Sequence, residues 1–259
     1  MMYENIFDTH AHYDVDSFDE DRFKLLDEMF ESGVSGVSGV INCGCTVESS
    51  KKSIEFAEKY DKIYAAVGIH PQNAAEENAD AIEQIEKLAS HERVVAIGEI
   101  GLDYHYDYTP KEMQLEWFEK QILLAKKLDL PVIVHDREAH ADCLELILKH
   151  RPRGVMHCFS GSVETAKQLT DIGFYIGLGG SVTFKNARKP QEVAASVDIS
   201  KLLLETDCPY MTPVPFRGRR NNSALIAHTA EKIAELRGTS AQEIINTATL
   251  NAKELFNIK

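Results

Sequence analysis

Short apolar runs recur along the chain, each bounded by turn-forming or charged residues. They are Ile6-Phe7, Val37 to Ile41, Ile63 to Val67, Val94 to Ile97, Val132 to Val134, Gly154 to Met156, Phe174 to Ile176 and Leu202 to Leu204. Runs this short and this apolar predict strands buried on both faces, as in a parallel sheet. The segments between them carry helical periodicity. Phe23, Leu26 and Phe30 share one face of a helix expected near Asp19 to Glu31, which Gly33 can end. Further helices are expected over Ser49 to Tyr60 and over Ala79 to Ala89, where Ile82, Ile85 and Leu88 lie on one side. Another starts at Pro110, a favoured first helical position, with Leu115, Phe118, Ile122 and Ala125 as its apolar stripe. The last four strands are each followed by a helical segment as well. Strict alternation of eight such units predicts an α/β fold, a TIM-type (β/α)8 barrel. An open doubly wound sheet is the alternative. It usually carries a Gly-rich phosphate loop after its first strand, and here Asp8-Thr9-His10-Ala11-His12 holds that place.

The length of 259 residues suits one barrel of about 250. No linker or composition break interrupts it, so a single domain over 1–259 is expected. No run approaches the roughly 18 apolar residues of a membrane span. Met1 to Asn5 lacks the basic stretch and apolar core of a secretory signal. Five cysteines, an odd number, then point to reduced thiols and the cytoplasm. Cys43-Gly-Cys45 lacks the C-x-x-C spacing and is read as small residues at a strand end. A net charge of −13 argues against non-specific duplex binding through a broad basic surface, so a nucleic-acid substrate would be held locally.

The chemistry lies at the strand ends. His10 and His12 follow the first apolar run, Glu99 the fourth, His135 the fifth, His157 the sixth and Asp207 the eighth. The carboxyl ends of barrel strands are where this fold places its active sites. His10 and His12, two apart on an extended segment, point to the same side and can reach one ion. Glu99 stands between Gly98 and Gly101, which would let the backbone bend there, and its two oxygens can bridge two cations. Asp207 can ligate a metal and take a proton from its water. Glu205 is a catalytic candidate beside it or a support from behind the ligands, and Asp8 either orients an imidazole or ends its strand. Mixed imidazole and carboxylate donors admit Zn²⁺, Mn²⁺ or Mg²⁺. His91, His140, His150 and His228 lie in or beside helices and read as surface residues, while His105 stays open.

These blocks together resemble the TatD-type metal-dependent deoxyribonucleases. The resemblance runs through Asp8-Thr9-His10-Ala11-His12, Val67-Gly68-Ile69-His70-Pro71 and Gly98-Glu99-Ile100-Gly101-Leu102-Asp103-Tyr104. It continues through Pro131 to His135, His157-Cys158-Phe159-Ser160-Gly161 and Glu205-Thr206-Asp207-Cys208-Pro209, and spans nearly the whole chain. It implies a βα-barrel with a divalent-metal centre that hydrolyses phosphodiester bonds of DNA, often from the 3′ end. It also implies that His10, His12, Glu99 and Asp207 hold one ion, that Glu99, His135 and His157 hold a second, and that His70 lines the substrate phosphate. One segment departs: Gly218 to Ser223 puts Ser where the family pattern has Pro, which puts the shape of that loop in question.

Two enzyme classes follow. A nuclease would use two cations and a basic cluster of Lys185, Arg188, Lys189, Arg217, Arg219 and Arg220, with Arg217 and Arg219 as the substrate-binding candidates. A small-molecule amidohydrolase or lactonase on the same barrel would often bridge its metals with a modified Lys after the fourth strand. Glu99 stands there instead, which favours the nuclease. A metal-binding protein without catalysis is disfavoured by the candidate base.

Overall fold

A computed structural model describes residues 3–31 and 35–259, so Gly33, the expected end of the first helix, lies outside the described residues. The strands are β1 (Ile6–Ala11), β2 (Val37–Cys43), β3 (Ile63–Val67), β4 (Val94–Asp103), β5 (Val132–Arg137), β6 (Gly154–Met156), β7 (Tyr175–Leu178) and β8 (Leu202–Leu204). All neighbouring pairs are parallel, in the order β1-β2-β3-β4-β5-β6-β7-β8. The helices are α1 (Arg22–Glu31), α2 (Val47–Lys59), α3 (Ala81–Leu88), α4 (Lys111–Leu128), α5 (His140–His150), α6 (Val163–Asp171), α7 (Arg188–Ser196), α8 (Ile226–Arg237) and α9 (Ala241–Leu255). The predicted (β/α)8 barrel is the observed fold.

Local sequence explains the element ends. Thr46 accepts a hydrogen bond from the Ser49 backbone N–H in a capping box that starts α2, and Ser162 and Ser240 cap α6 and α9. Gly238 takes the left-handed conformation, φ 68°, that ends α8. All four helices given bounds from the sequence start elsewhere: α2 at Val47 rather than Ser49, α3 at Ala81 rather than Ala79, and α1 and α4 for visible local reasons. Pro110 stands just before α4 with an extended ψ of 143°, so Lys111 is the first helical residue. α1 begins at Arg22 because a 3-10 turn occupies Asp16–Phe18. Phe23, expected on the core face of α1, is 45 % exposed and packs only edge-on against Phe56 beneath the Lys59 ammonium.

Inside the barrel, Phe7, Ile41, Ala66, Val95, Ile133, Val155, Tyr175 and Leu203 form one apolar cluster with Ala252, Leu255, Phe256 and Ile258 from the carboxyl-terminal helix and tail. α9 closes the amino end: Thr249 donates to the Asn5 carbonyl, and Asn251 to those of Ile199 and Leu202. Apolar filling at that end leaves the opposite mouth for polar chemistry.

The seam between β1 and β8 is not a regular ladder. It is joined by one bridge, Ala11 to Cys208, and by backbone bonds from Asp207 N–H to His10 and from His12 N–H to Cys208, each 2.9 Å. Asp8 completes it. Its carboxylate accepts the Thr206 N–H at 3.0 Å and the Thr206 hydroxyl at 2.6 Å and touches no imidazole, so it ties the seam rather than orienting a ring. Burial pushes the Asp8 carboxyl up to about 7, although those donors oppose the shift.

Asp8→Ala should destabilise the fold by about 1–3 kcal/mol, because the buried Thr206 N–H loses its acceptor. Asp8→Asn keeps an acceptor oxygen and should be tolerated. The folded-state pKa of about 7 exceeds the ordinary 3.8, so the native state binds the extra proton and wild-type stability falls as pH rises between those values. Urea unfolding should therefore show Asp8→Asn gaining on wild type from pH 3.8 to about 7 and levelling above. A flat or reversed difference would remove Asp8 as a burial-strained tie.

Candidate metal centre

Two irregularities in the sheet aim the polar residues. The β1–β2 register shifts between Asp8 and Ala11, where His10 lies, and the β4–β5 register shifts between Ile97 and Ile100, where Glu99 lies. Bulges of this kind turn a side chain out of the strand alternation. The glycines beside Glu99 are steric requirements. A Cβ on Gly98 would lie 2.7 Å from the Ile133 Cβ, and one on Gly101, at φ 144°, would lie 2.0 Å from the His135 carbonyl oxygen.

The six strand-end candidates meet at the carboxyl mouth. Glu99 Oε2 lies 3.4 Å from Nε2 of both His10 and His12, and Asp207 Oδ1 lies 3.8 and 3.5 Å from the same atoms. Glu99 Oε1 faces the other way, 2.7 Å from His135 Nδ1 and 3.0 Å from His157 Nε2. The His10 and His157 rings stack at 3.8 Å. His70 also approaches, its Nε2 3.8 Å from Glu99 Oε1. Burial works to raise the Glu99 carboxyl, and the imidazoles of His157, His10 and His70 outweigh it, holding it well below the usual carboxylate range.

The ring partners show why these residues fit a cation. His12 Nδ1 lies 3.0 Å from the Cys43 carbonyl, which only accepts, so Nδ1 carries the proton and Nε2 presents its lone pair. His135 lies between two carboxylates, Nε2 3.2 Å from Asp103 Oδ2 and Nδ1 2.7 Å from Glu99 Oε1; with its proton on Nε2, the Nδ1 lone pair would be free for a cation. Burial pushes the Asp103 carboxyl up, and the His135 ring outweighs it, so Asp103 stays an acceptor. The His10 and His12 Nε2 atoms are only 2.9 Å apart. Lone pairs converging this closely, with carboxylate oxygens among them, suit divalent cations. His10, His12 and Glu99 form one group able to hold a metal, His10, His157 and Asp207 another, and His70, Glu99 and His135 a third. His70 differs in its proton: Nδ1 accepts the Gln72 N–H at 3.2 Å, so Nε2 is the donor. Burial, reinforced by His135, lowers its pKa to about 3 and keeps it neutral.

A cavity of about 750 Å³ opens over the centre, walled by Glu99, His135, His157 and Asp207 among others. Glu205 does not reach it. Its side chain is buried behind His157, Oε1 3.6 Å from Nδ1, and it accepts the Cys158 N–H. A Cβ on Gly177 would lie 2.5 Å from its Oε2, so that glycine makes the space. Glu205, a catalytic candidate from the sequence, therefore lies behind His157 and not on the cavity wall.

Arg217 and Arg219 line an adjoining cavity of about 820 Å³ that shares Val15, Tyr210 and Met211 with the first. The rest of the expected basic cluster does not join them as free cations. Arg220 lines the adjoining cavity too but is bound to Asp21 at 2.6 Å and to the Ser17 carbonyl, and Arg188 pairs with Glu192 at 2.7 Å. Lys185 and Lys189 border neither cavity. Ser223 resolves the departure in that loop: its N–H and hydroxyl both bond the buried Tyr13 hydroxyl, at 3.0 and 2.8 Å, and a proline has no N–H to offer. His105 lies outside the centre, paired with Glu138 at 2.7 Å. Asp103, Gln72 and Arg137 join the cavity wall without having been singled out by sequence. Asp103 stood in the quoted Gly98 to Tyr104 block; Gln72 and Arg137 gave no signal beyond lying two residues after His70 and His135.

Comparison with known proteins agrees with this geometry. A family profile described as TatD related DNase matches residues 7–257. An uncharacterized metal-dependent hydrolase, YabD, of Bacillus subtilis is 43 % identical over 257 residues, covering 98 % of this chain and 99 % of that protein. The 3′-5′ ssDNA/RNA exonuclease TatD of Cronobacter sakazakii is 34 % identical, with 97 % of each chain covered. The crystal structure of YjjV, a TatD homologue of Escherichia coli, superposes with a TM-score of 0.91 over the whole of both chains at 33 % identity. This chain belongs to the TatD-related family of metal-dependent hydrolases.

Proposed function

We propose that the protein hydrolyses phosphodiester bonds of DNA, acting on single strands from the 3′ end, with two divalent cations at the mouth of the barrel. The observation that carries this reading is the placement of Glu99, with one oxygen toward His10 and His12 and the other toward His135 and His157. In this reading His10, His12, Glu99 and Asp207 hold one ion and Glu99, His135 and His157 the other. When bound, two such ions polarise a phosphoryl oxygen and acidify a water. Zn²⁺, Mn²⁺ and Mg²⁺ all suit the donors. The single-strand exonuclease named among the relatives supports the substrate class. A carboxylate at position 99, where small-molecule hydrolases of this barrel often carry a modified lysine, agrees with it.

The side chains then divide the work. Asp207 takes the proton of the attacking water. Burial works to raise its carboxyl, and the rings of His12, His157 and His10 outweigh it, so the group stays ionised and able to accept. His70 donates its Nε2 proton to a phosphate oxygen. Asp103 and Glu205 hold the His135 and His157 rings in place. Arg217 and Arg219 receive phosphates in the adjoining cavity; the Arg217 guanidinium stacks 3.7 Å over the Phe184 ring, which fixes its plane. Five free cysteines suit a reducing compartment, and a cytoplasmic site of action is part of the proposal. No helix among the described residues is long and apolar enough to cross a membrane.

Chelation should abolish cleavage of 3′- and 5′-labelled single-stranded oligonucleotides, and one of Mg²⁺, Mn²⁺ or Zn²⁺ should restore it, with label release showing attack from the 3′ end. Full cleavage in excess chelator, with metal content near zero, would contradict the metal-dependent reading. Asp207→Asn keeps the size of the side chain and one donor oxygen but cannot act as a base. Single-turnover cleavage should fall at least about a hundredfold, with oligonucleotide binding and metal content retained. Cleavage lost together with metal would make Asp207 a ligand only, and near-normal cleavage would exclude it as the base.

A further inference from the structure

We propose that Tyr106 and Tyr108, on the loop that follows β4, form a stacking platform for an unpaired nucleobase beside the metal centre. The inference rests on the phosphodiesterase reading above and adds to it the part of the substrate next to the reacting phosphate.

The two phenol rings lie parallel within 9°, with centroids 5.4 Å apart. They are 38 % and 68 % exposed, so the outer ring meets solvent although a neighbour already orders it. Tyr106 is fixed from its other sides. The Arg137 guanidinium stands 5.0 Å from its centroid, and the His105 ring meets it edge-on at 4.6 Å. His105 is in turn paired with Glu138. Tyr106 and Arg137 both belong to the wall of the cavity that holds Glu99 and His135. The platform therefore begins inside the reaction chamber and leads out of it.

The distribution of exposed tyrosines points the same way. Among the described residues they are Tyr106, Tyr108 and Tyr210; Tyr210 lines this cavity as well, and Tyr108 stacks on a ring that does. A single exposed ring on a surface needs no explanation. A pre-stacked pair at the rim of a phosphodiesterase site is the arrangement by which single strands are held, because every base offers a π-face. Charge assigns the parts. Asp107, the exposed residue between the two tyrosines in the chain, and Glu138 beside His105 put negative charge on this loop, which disfavours a phosphate there, so the platform takes the base. The adjoining phosphate falls on the Arg137 side. A base inside a duplex has both faces covered by its neighbours, so the platform selects an unpaired nucleotide.

The test is a fluorescence-anisotropy titration of the metal-loaded protein with two labelled strands of about eight nucleotides, joined by phosphorothioate linkages and checked for integrity afterwards. One strand is oligodeoxyadenylate; the other carries base-free residues at its 3′ end. Wild type should bind the adenine strand about tenfold more tightly than the base-free one, the scale of one stacked base. Tyr108→Leu should bring that ratio close to one, and Tyr108→Trp should keep it. Circular dichroism checks that the exposed substitutions leave the fold intact. A ratio that survives Tyr108→Leu would overturn the platform, as would a wild type that does not distinguish the strands. Cleavage of ordinary strands is measured in parallel and separates the two readings. Cleavage with a ratio indifferent to Tyr108 removes the platform and keeps the nuclease. A Tyr108-dependent ratio without cleavage keeps the platform and removes the nuclease.

Discussion

Four imidazole nitrogens, those of His10, His12, His135 and His157, stand within 3.4 Å of the two oxygens of Glu99. Nearly all of that cluster is buried. Removing a carboxylate from water costs several kcal/mol unless charge or hydrogen bonds replace the lost solvation. Glu99 faces two rings on each side, and divalent cations held among these donors would supply the missing charge. The geometry follows from this one group. If the carboxylate swung to either side, the other pair of rings would face each other's lone pairs without a partner.

The surrounding fold delivers Glu99 to this point. A long buried β4 carries it, a register shift against β5 turns it inward, and Gly98 and Gly101 let β4 approach Ile133 and the His135 carbonyl without a clash. Polar groups face the rings from behind: the Cys43 carbonyl 3.0 Å from His12, Asp103 3.2 Å from His135 and Glu205 3.6 Å from His157. The apolar filling under the site, closed by α9, keeps the polar chemistry at one mouth of the barrel. Rigidity and placement therefore come from the same contacts.

The barrel was legible in the sequence because strands buried on both faces leave unmistakable apolar runs, and each predicted run lies within or against an observed strand. The strand-end residues His10, His12, Glu99, His135, His157 and Asp207 were legible as a set for the same reason, since a polar residue at the end of a buried strand stands out. What stayed hidden depends on partners far away in the chain. The tie from Asp8 to Thr206 spans 198 positions. Arg220 looked like a phosphate contact until its pairing with Asp21, 199 positions away, was seen. Ser223 looked like an anomaly until the Tyr13 hydroxyl, 210 positions away, supplied its partner. Local pattern cannot register such pairings, because each is decided by which strands the barrel brings together.

The most direct test of a shared Glu99 is metal content. Wild type and Glu99→Gln would be loaded with Mn²⁺ or Zn²⁺, dialysed together and measured by plasma mass spectrometry, with circular dichroism confirming the fold. A carboxylate that bridges both ions predicts close to two equivalents per chain in wild type and loss of both in Glu99→Gln. Loss of one ion with the other at full occupancy would contradict the bridge and make Glu99 a ligand of a single site.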